Sequence, residues 1–254
     1  MLNVPGHIIS LMAVCLLVTA GCSTPTASIA ANDSWTTVAP GLAIESERRM
    51  VRIRCWSCLD RGFLEQVLCS PGTREHESLL VTDVSPSSIH AALLLAGHEP
   101  GSPGRWRESG TRVELLPPKG DMVSVTVEYE AGDGSGRIRE PVSNWIAELK
   151  DGGAFPTSTW VFGGSIILEE DEMVGDASNY LADHSGSVIG LVTFGDELLG
   201  LPSVIPDAAL VQEPEWVVRI EHVPAPGTEV QVILSPVEGA QPASGREEGA
   251  SSEG

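Results

Sequence analysis

Apolar and polar residues alternate along several short stretches of this chain. The clearest is residues 122–130, MVSVTVEYE, in which valine and tyrosine alternate with serine, threonine and glutamate. A period of two predicts a half-buried antiparallel strand, and the glycine-rich residues 131–136 that follow predict a turn. The same reasoning predicts further strands at residues 49–57, 64–69, 78–84, 111–116, 159–168, 187–194, 215–222 and 229–234.

Two helices are predicted among these strands. Ser85 can cap a helix, Pro86 suits its first position and Gly97 can end it, so we expect a helix at about 86–96. Apolar residues cover most of its surface, which predicts that it is buried against the sheet. A second, short helix is expected at about 142–149. Mostly antiparallel strands with two helices predict an α+β domain.

The first residues resemble an export signal. The apolar run at residues 8–20 has the length of a signal-peptide core and is too short to cross a bilayer comfortably. Small residues ahead of Cys22 resemble a lipobox, where a lipoprotein signal peptidase cuts before an acylated cysteine. We therefore predict a signal peptide at residues 1–21 and a lipid on Cys22 that holds the protein on the extracytoplasmic side of the cell envelope. A simple secretory signal and an uncleaved anchor are the alternatives. Ser23 favours the outer membrane in a host that has two membranes.

Composition divides the rest of the chain. Small, polar and proline-containing residues predict that 22–45, which includes the lipidated cysteine, is a flexible tether. A single globular domain is expected at 46–236, followed by a disordered acidic tail at 237–254. Acidic residues outnumber lysine and arginine by 35 to 15, which argues against nucleic acid as a partner because phosphate binding needs clustered basic residues. The expected partners are the membrane, through the lipid on Cys22, and an envelope protein.

Three cysteines of the predicted domain allow several kinds of chemistry. In an exported protein Cys55, Cys58 and Cys69 could form a disulfide and leave one free thiol. A hairpin turn after Cys58 would place Cys55 opposite Cys69, and a shifted loop would place Cys58 there instead. One alternative is a metal site made of the three cysteines and His76. Another is a redox pair at 55–58, although this motif ends a predicted strand and does not begin a helix.

The densest polar cluster is residues 73–78, TREHES, just before a predicted strand. His76, Glu77 and Ser78 from this cluster and His90 from the predicted helix are candidates for ligand binding, metal binding or acid–base work. The alternative for His90 is a hydrogen-bonded core histidine. The sequence contains no HExxH, no G-x-S-x-G elbow and no phosphate-binding loop, so it predicts no complete catalytic site.

The combination of these motifs resembles the YdjY-like domain family over about residues 52–236. The similar segments are Cys69 and residues 58–65 (CLDRGFLE), 73–80 (TREHESLL), 89–97 (IHAALLLAG), 160–165 (WVFGGS), 180–183 (YLAD), 188–194 (VIGLVTF) and 226–230 (PGTEV). The resemblance implies an exported or envelope protein of unknown function, and some members occur beside iron–sulfur ferredoxin modules. It supplies no catalytic residue, and it makes His76, Glu77, Ser78 and His90 the best candidates for a site.

Together these features predict a membrane-anchored envelope lipoprotein whose domain is a non-catalytic ligand- or protein-binding module. The alternative is a metal-binding or redox-associated envelope module that uses His76, Glu77 and His90, or the three cysteines. No cofactor is expected, apart from a metal ion in that alternative. A hydrolase is a third hypothesis, which only the polar cluster supports.

Overall fold

The structure is a computed structural model that describes residues 34–110, 112–169, 178–208, 210–211 and 213–237. The predicted signal peptide, Cys22 and the predicted tail beyond residue 237 lie outside these residues. Among the described residues, neither helix has the length and hydrophobicity needed to cross a bilayer.

The regular structure of the described residues is mainly strand. The strands are β1 (Thr36–Ala39), β2 (Leu42–Glu45), β3 (Met50–Ser57), β4 (Phe63–Leu64), β5 (Gln66–Cys69), β6 (Ser78–Val81), β7 (Pro100–Ser102), β8 (Arg105–Ser109), β9 (Arg112–Leu116), β10 (Lys119–Gly120), β11 (Met122–Glu130), β12 (Arg137–Pro141), β13 (Ile146–Glu148), β14 (Thr159–Phe162), β15 (Ser187–Gly190), β16 (Leu199–Gly200), β17 (Trp216–Val218) and β18 (Glu229–Pro236). The helices are α1 (Pro86–Leu95) and α2 (Leu181–Ser185), and 3-10 turns lie at Glu75–Glu77 and Val142–Trp145.

Eight of these strands close into a barrel. Their order is β3, β18, β11, β14, β16, β15, β5 and β6, and β6 pairs with β3 to complete the ring. Most neighbours are antiparallel, but β15 runs parallel to β16 and β5 runs parallel to β6. The predicted α+β class is therefore wrong, because a closed β-barrel, and not an open sheet covered by helices, forms the body of the domain.

The barrel interior is a packed apolar core. Val127, Val232 and Ile53 lie in register across β11, β18 and β3, and all three are fully buried. Helix α1 contacts β2, β3 and α2, and its Ile89 and Leu93 join the same core. Because side chains fill the interior, the candidate sites must lie at the ends and on the outside of the barrel.

One predicted helix is present and the other is not. The side chain of Ser85 accepts a hydrogen bond from the backbone of Ser88 and caps α1, as the sequence predicts. Leu94 and Leu95 are exposed, so α1 is buried on one face only. The predicted helix at 142–149 is wrong: one 3-10 turn is followed directly by β13, which pairs with β17. Strand pairing with a distant segment outweighs the local helical spacing.

Sheet structure begins earlier than the predicted boundary at residue 46. Residues 36–45, which the sequence assigns to the flexible tether, form β1 and β2. All four residues of β2 are buried, and β2 pairs with the first half of β3. This part of the tether prediction is therefore wrong.

Candidate functional site

The predicted cluster at 73–78 folds into a 3-10 turn that leads into β6. His76 is 76% exposed, and its Nε2 lies 3.6 Å from Oε2 of Glu77. Ser78 is fully buried, and its hydroxyl donates a hydrogen bond to the carbonyl oxygen of Leu80 at 2.9 Å. Of the three predicted residues, His76 and Glu77 are thus accessible to a ligand, whereas Ser78 has a structural role.

Glu65 lies beside Glu77, and sequence reasoning missed it. Because β5 and β6 run parallel with Gln66 beside Ser78, the preceding residues Glu65 and Glu77 are also neighbours. The backbone N–H of Glu65 donates to the carbonyl oxygen of Glu77 at 2.9 Å, and their carboxyl groups also hydrogen-bond. Burial and the neighbouring Glu77 carboxylate raise the pKa of Glu65 to about 7. Such a carboxyl pair can hold and release a proton near neutral pH.

Two further side chains complete the surroundings of this pair. Arg74 lies 3.6 Å from the ring centre of Phe194, and its positive charge favours the ionised form of Glu65. Asp207 acts in the opposite direction and favours the protonated form. The indole N–H of Trp106 donates to Oδ1 of Asp207 at 2.8 Å and holds this carboxylate in place.

Two adjoining pockets share Glu213, Pro214 and Glu215, and together they form a groove that extends from Glu65. Its wider part has a volume of about 610 Å³. We call it the acidic groove, because five carboxylates line it and Lys150 is the one basic residue among its described lining residues. The five are Glu65, Glu148, Asp207, Glu213 and Glu215. Carboxylates that crowd together in this way produce a strongly negative potential.

The floor of the acidic groove comes from a small three-stranded sheet. Glu148 of β13, Trp216 of β17 and Leu64 of β4 lie in one cross-strand row. Trp216 is only 4% exposed and packs edge-on against Phe155, with ring centres 4.7 Å apart. Its indole N–H is buried and has no acceptor in the described part of the chain. The groove therefore combines an apolar floor with an acidic rim.

His90 lies elsewhere, in a hydrogen-bonded chain that fixes α1. Its Nδ1 is 2.8 Å from the hydroxyl of Tyr180, which is 3.0 Å from the carbonyl oxygen of Gly164. Because a carbonyl oxygen can only accept, Tyr180 donates to Gly164 and the Nδ1–H of His90 donates to Tyr180. Burial lowers the pKa of His90, which favours the neutral ring. This geometry matches the alternative of a hydrogen-bonded core histidine.

The predicted metal ligands do not converge. His76 contacts Glu77 on the turn before β6, whereas His90 contacts Tyr180 and Phe162 beside α1. No group of three or more His, Cys, Asp or Glu side chains that could hold a metal ion occurs within the described residues. The ligand set of His76, Glu77 and His90 therefore has no common centre in this structure.

The three cysteines of the described domain are free thiols. The predicted hairpin between β3 and β5 is wrong, because β6 lies between these strands. Cys55 is instead paired with Val230 of β18. Two strand spacings amount to about 10 Å, which is too far for a bridge between Cys55 and Cys69.

The geometry also argues against redox chemistry at residues 55–58. Cys55 is fully buried in the core, and Sγ of Cys58 donates to the carbonyl oxygen of Ser78 at 3.0 Å. Burial raises the pKa of Cys55, and it raises the pKa of Cys58 to about 12. Both thiols are therefore protonated at neutral pH, whereas a redox pair needs a thiolate.

Comparison with known proteins gives one match. A family model described as the YdjY domain matches residues 42–235, from β2 to the end of the barrel in β18. No curated protein and no solved structure matches the chain.

Proposed function

The chain belongs to the YdjY domain family, and from this premise we propose that it is a lipid-anchored envelope protein that binds a positively charged segment of a partner protein in its acidic groove. The proposed location rests on the predicted signal peptide at residues 1–21 and on Cys22, whose surroundings resemble a lipobox. The binding role rests on the acidic groove.

The charge of the acidic groove is the observation that most directly supports the proposed binding of a cationic segment. Five carboxylates line it against the single ammonium group of Lys150. Like charges that line the same groove repel one another, and a bound cationic segment relieves the repulsion. The net charge of −20 attracts the same class of partner over longer distances.

The floor of the acidic groove adds a requirement for apolar side chains. Leu149 is 45% exposed and lines the groove together with Trp216. A peptide carries apolar side chains that a simple cation lacks. A basic and partly apolar peptide segment therefore suits this groove better than a simple cation.

Peptide binding tests the role of the groove. The probe is a short peptide of alternating lysine and leucine, with a glutamate and leucine peptide as the control, and the readout is fluorescence anisotropy with the full-length protein. Exposed ion pairs contribute about 0.2–1 kcal/mol each. Two such pairs amount to about 0.4–2 kcal/mol, so the variant with both Glu148→Gln and Glu213→Gln should bind the lysine peptide about 2- to 30-fold more weakly.

The matched control carries Glu221→Gln and Glu229→Gln, which remove the same charge outside the groove. Equal weakening in both double variants would mean that net charge alone attracts the peptide, and the groove would be the wrong site. Intact-mass measurement of the native protein tests the anchor separately. A retained leader, or Cys22 without an acyl group, would contradict the proposed attachment.

A further inference from the structure

The hairpin formed by β8 and β9 exposes apolar side chains on both of its faces. Within the described residues its two strands pair only with each other. Val113, Leu115 and Leu116 are 42%, 48% and 43% exposed. The cross-strand register puts Leu116 on the face of Arg105, whereas Val113 and Leu115 lie on the opposite face. A ribbon that is apolar on both sides is not suited to lying flat on one protein surface.

The same hairpin carries positive charge on a strongly acidic protein. Residues 105–116 contain three arginines and two glutamates, a net charge of +1, whereas the whole chain has −20. Arg107 pairs with Glu114 at 2.6 Å. Arg105 and Arg112 are exposed and form no ion pair within the described residues. Their guanidinium groups are therefore available to an anionic partner, and guanidinium binds phosphate in a bidentate manner.

The hairpin is held firmly at its base. The indole N–H of Trp106 lies within hydrogen-bonding distance of two acceptors, the carbonyl oxygen of Thr193 at 3.1 Å and Oδ1 of Asp207 at 2.8 Å. This contact ties β8 to the barrel, so the exposed part of the hairpin has a defined orientation. Without the hairpin the chain has a net charge of −21 (−20 minus +1), so the hairpin attracts an anionic surface that the protein as a whole repels.

We propose that this hairpin docks on an anionic lipid surface, with Arg105 and Arg112 on lipid phosphates and the exposed leucines and valine in the interfacial layer. This combination of basic and apolar side chains is typical of interfacial membrane binding. The inference rests on the proposed lipid anchor for its location and does not require peptide binding in the acidic groove. Ser34 follows Cys22 by twelve residues, so an extended connection reaches at most about 40 Å. The domain would thus stay close enough to the bilayer for the hairpin to touch it.

Hydrogen–deuterium exchange of the full-length protein on vesicles tests the docking. The vesicles contain phosphatidylcholine alone or phosphatidylcholine with phosphatidylglycerol. The amides of residues 105–116 should exchange more slowly on the anionic vesicles. The variant Arg105→Glu with Arg112→Glu should lose this protection, and so should Leu115→Ser with Leu116→Ser. Arg61→Glu with Arg139→Glu, two exposed changes outside the hairpin that alter the net charge by the same amount, is the matched control and should keep the protection.

Equal exchange on both kinds of vesicle, or protection that survives either double variant, would overturn the proposal. Intact mass reports the acyl group on Cys22 independently, so failure of the anchor is distinguishable from failure of the hairpin. If the protein carries no acyl group, the same vesicles are added to it in solution and the bound fraction is measured by sedimentation. Each basic residue contributes about fivefold to binding near an anionic surface, so the arginine variant should bind at least about 25-fold more weakly. Equal sedimentation of the two proteins would refute the docking.

Discussion

Replacing Glu65 with glutamine tests the electrostatics at the inner end of the acidic groove. The pKa of Glu65 is raised from 4.5 to about 7, first by burial and then by the Glu77 carboxylate. The folded protein therefore holds this proton more tightly than the unfolded chain does. The stabilisation is fully present below pH 4.5 and is lost as the pH rises through about 7. Glutamine is neutral and of similar shape, and it can still donate a hydrogen bond to Glu77.

The size of the effect follows from the pKa difference. A rise from 4.5 to about 7 corresponds to about 3.4 kcal/mol at 1.36 kcal/mol per pKa unit. Glu65 is only partly buried, so solvent screening reduces this to about 1–2 kcal/mol. Near pH 8 we expect the free energy of unfolding of Glu65→Gln to be about 1–2 kcal/mol higher than that of the original protein, so the variant is more stable. Near pH 4 the two proteins should be about equally stable.

Urea unfolding at several pH values measures this difference directly. Glu221→Gln is the matched control, because it removes one exposed carboxylate without touching the pair. Glu197 also has a pKa raised to about 7, mainly by burial, but it is present in every protein compared and cancels from the differences. A constant stability offset between Glu65→Gln and the original protein at all pH values would refute the reasoning, and so would a loss of stability near pH 8.

Three further predictions concern the core, the His90 chain and the thiols. Leu93→Ala, at a fully buried position of α1, should lower the free energy of unfolding measured in urea by about 2–5 kcal/mol. Leu95→Ala, at an exposed position, should lower it by less than about 1 kcal/mol. Equal losses of stability would contradict the one-sided burial of the helix. Tyr180→Phe removes the hydroxyl that bonds His90 and should lower the free energy of unfolding by about 1–2 kcal/mol. The melting temperature of the variant should therefore be lower, and an unchanged melting temperature would refute this prediction. At neutral pH, Cys58 in the folded protein should react with iodoacetamide much more slowly than Cys58 in the urea-unfolded chain. The rate in the folded protein should rise as the pH approaches about 12. Equal rates in the two states would show that the thiol is not held in its protonated form.

Local patterns predicted several elements well. The alternation over residues 122–130 predicted β11, which the structure places at the same residues. Ser85, Pro86 and Gly97 likewise predicted the position of α1. These signals work because the period of side-chain burial, helix capping and backbone preference depend on residues only a few positions apart.

Strand neighbours could not be predicted in the same way. The sequence suggested a hairpin between the strands that carry Cys55 and Cys69, yet β6 lies between them and runs parallel to β5. The last strand, β18, inserts between β3 and β11, which lie far from it in the sequence. Alternation determines which face of a strand is buried, but it does not identify the strand that pairs with it.

In the candidate site, too, the sequence indicated single residues, whereas the tertiary structure decided which of them meet. The sequence by itself drew attention to His76 and Glu77, because charged residues and histidine cluster there. Only the tertiary structure brought Glu65 beside Glu77, through the parallel register of β5 and β6, and Asp207 to the same groove. The sequence thus determined the elements that have a strong local signal, such as β11 and α1, and the acidic character of the protein. The closure of the barrel decided which acidic residues meet, because it depends on packing and hydrogen bonds between segments far apart in the chain.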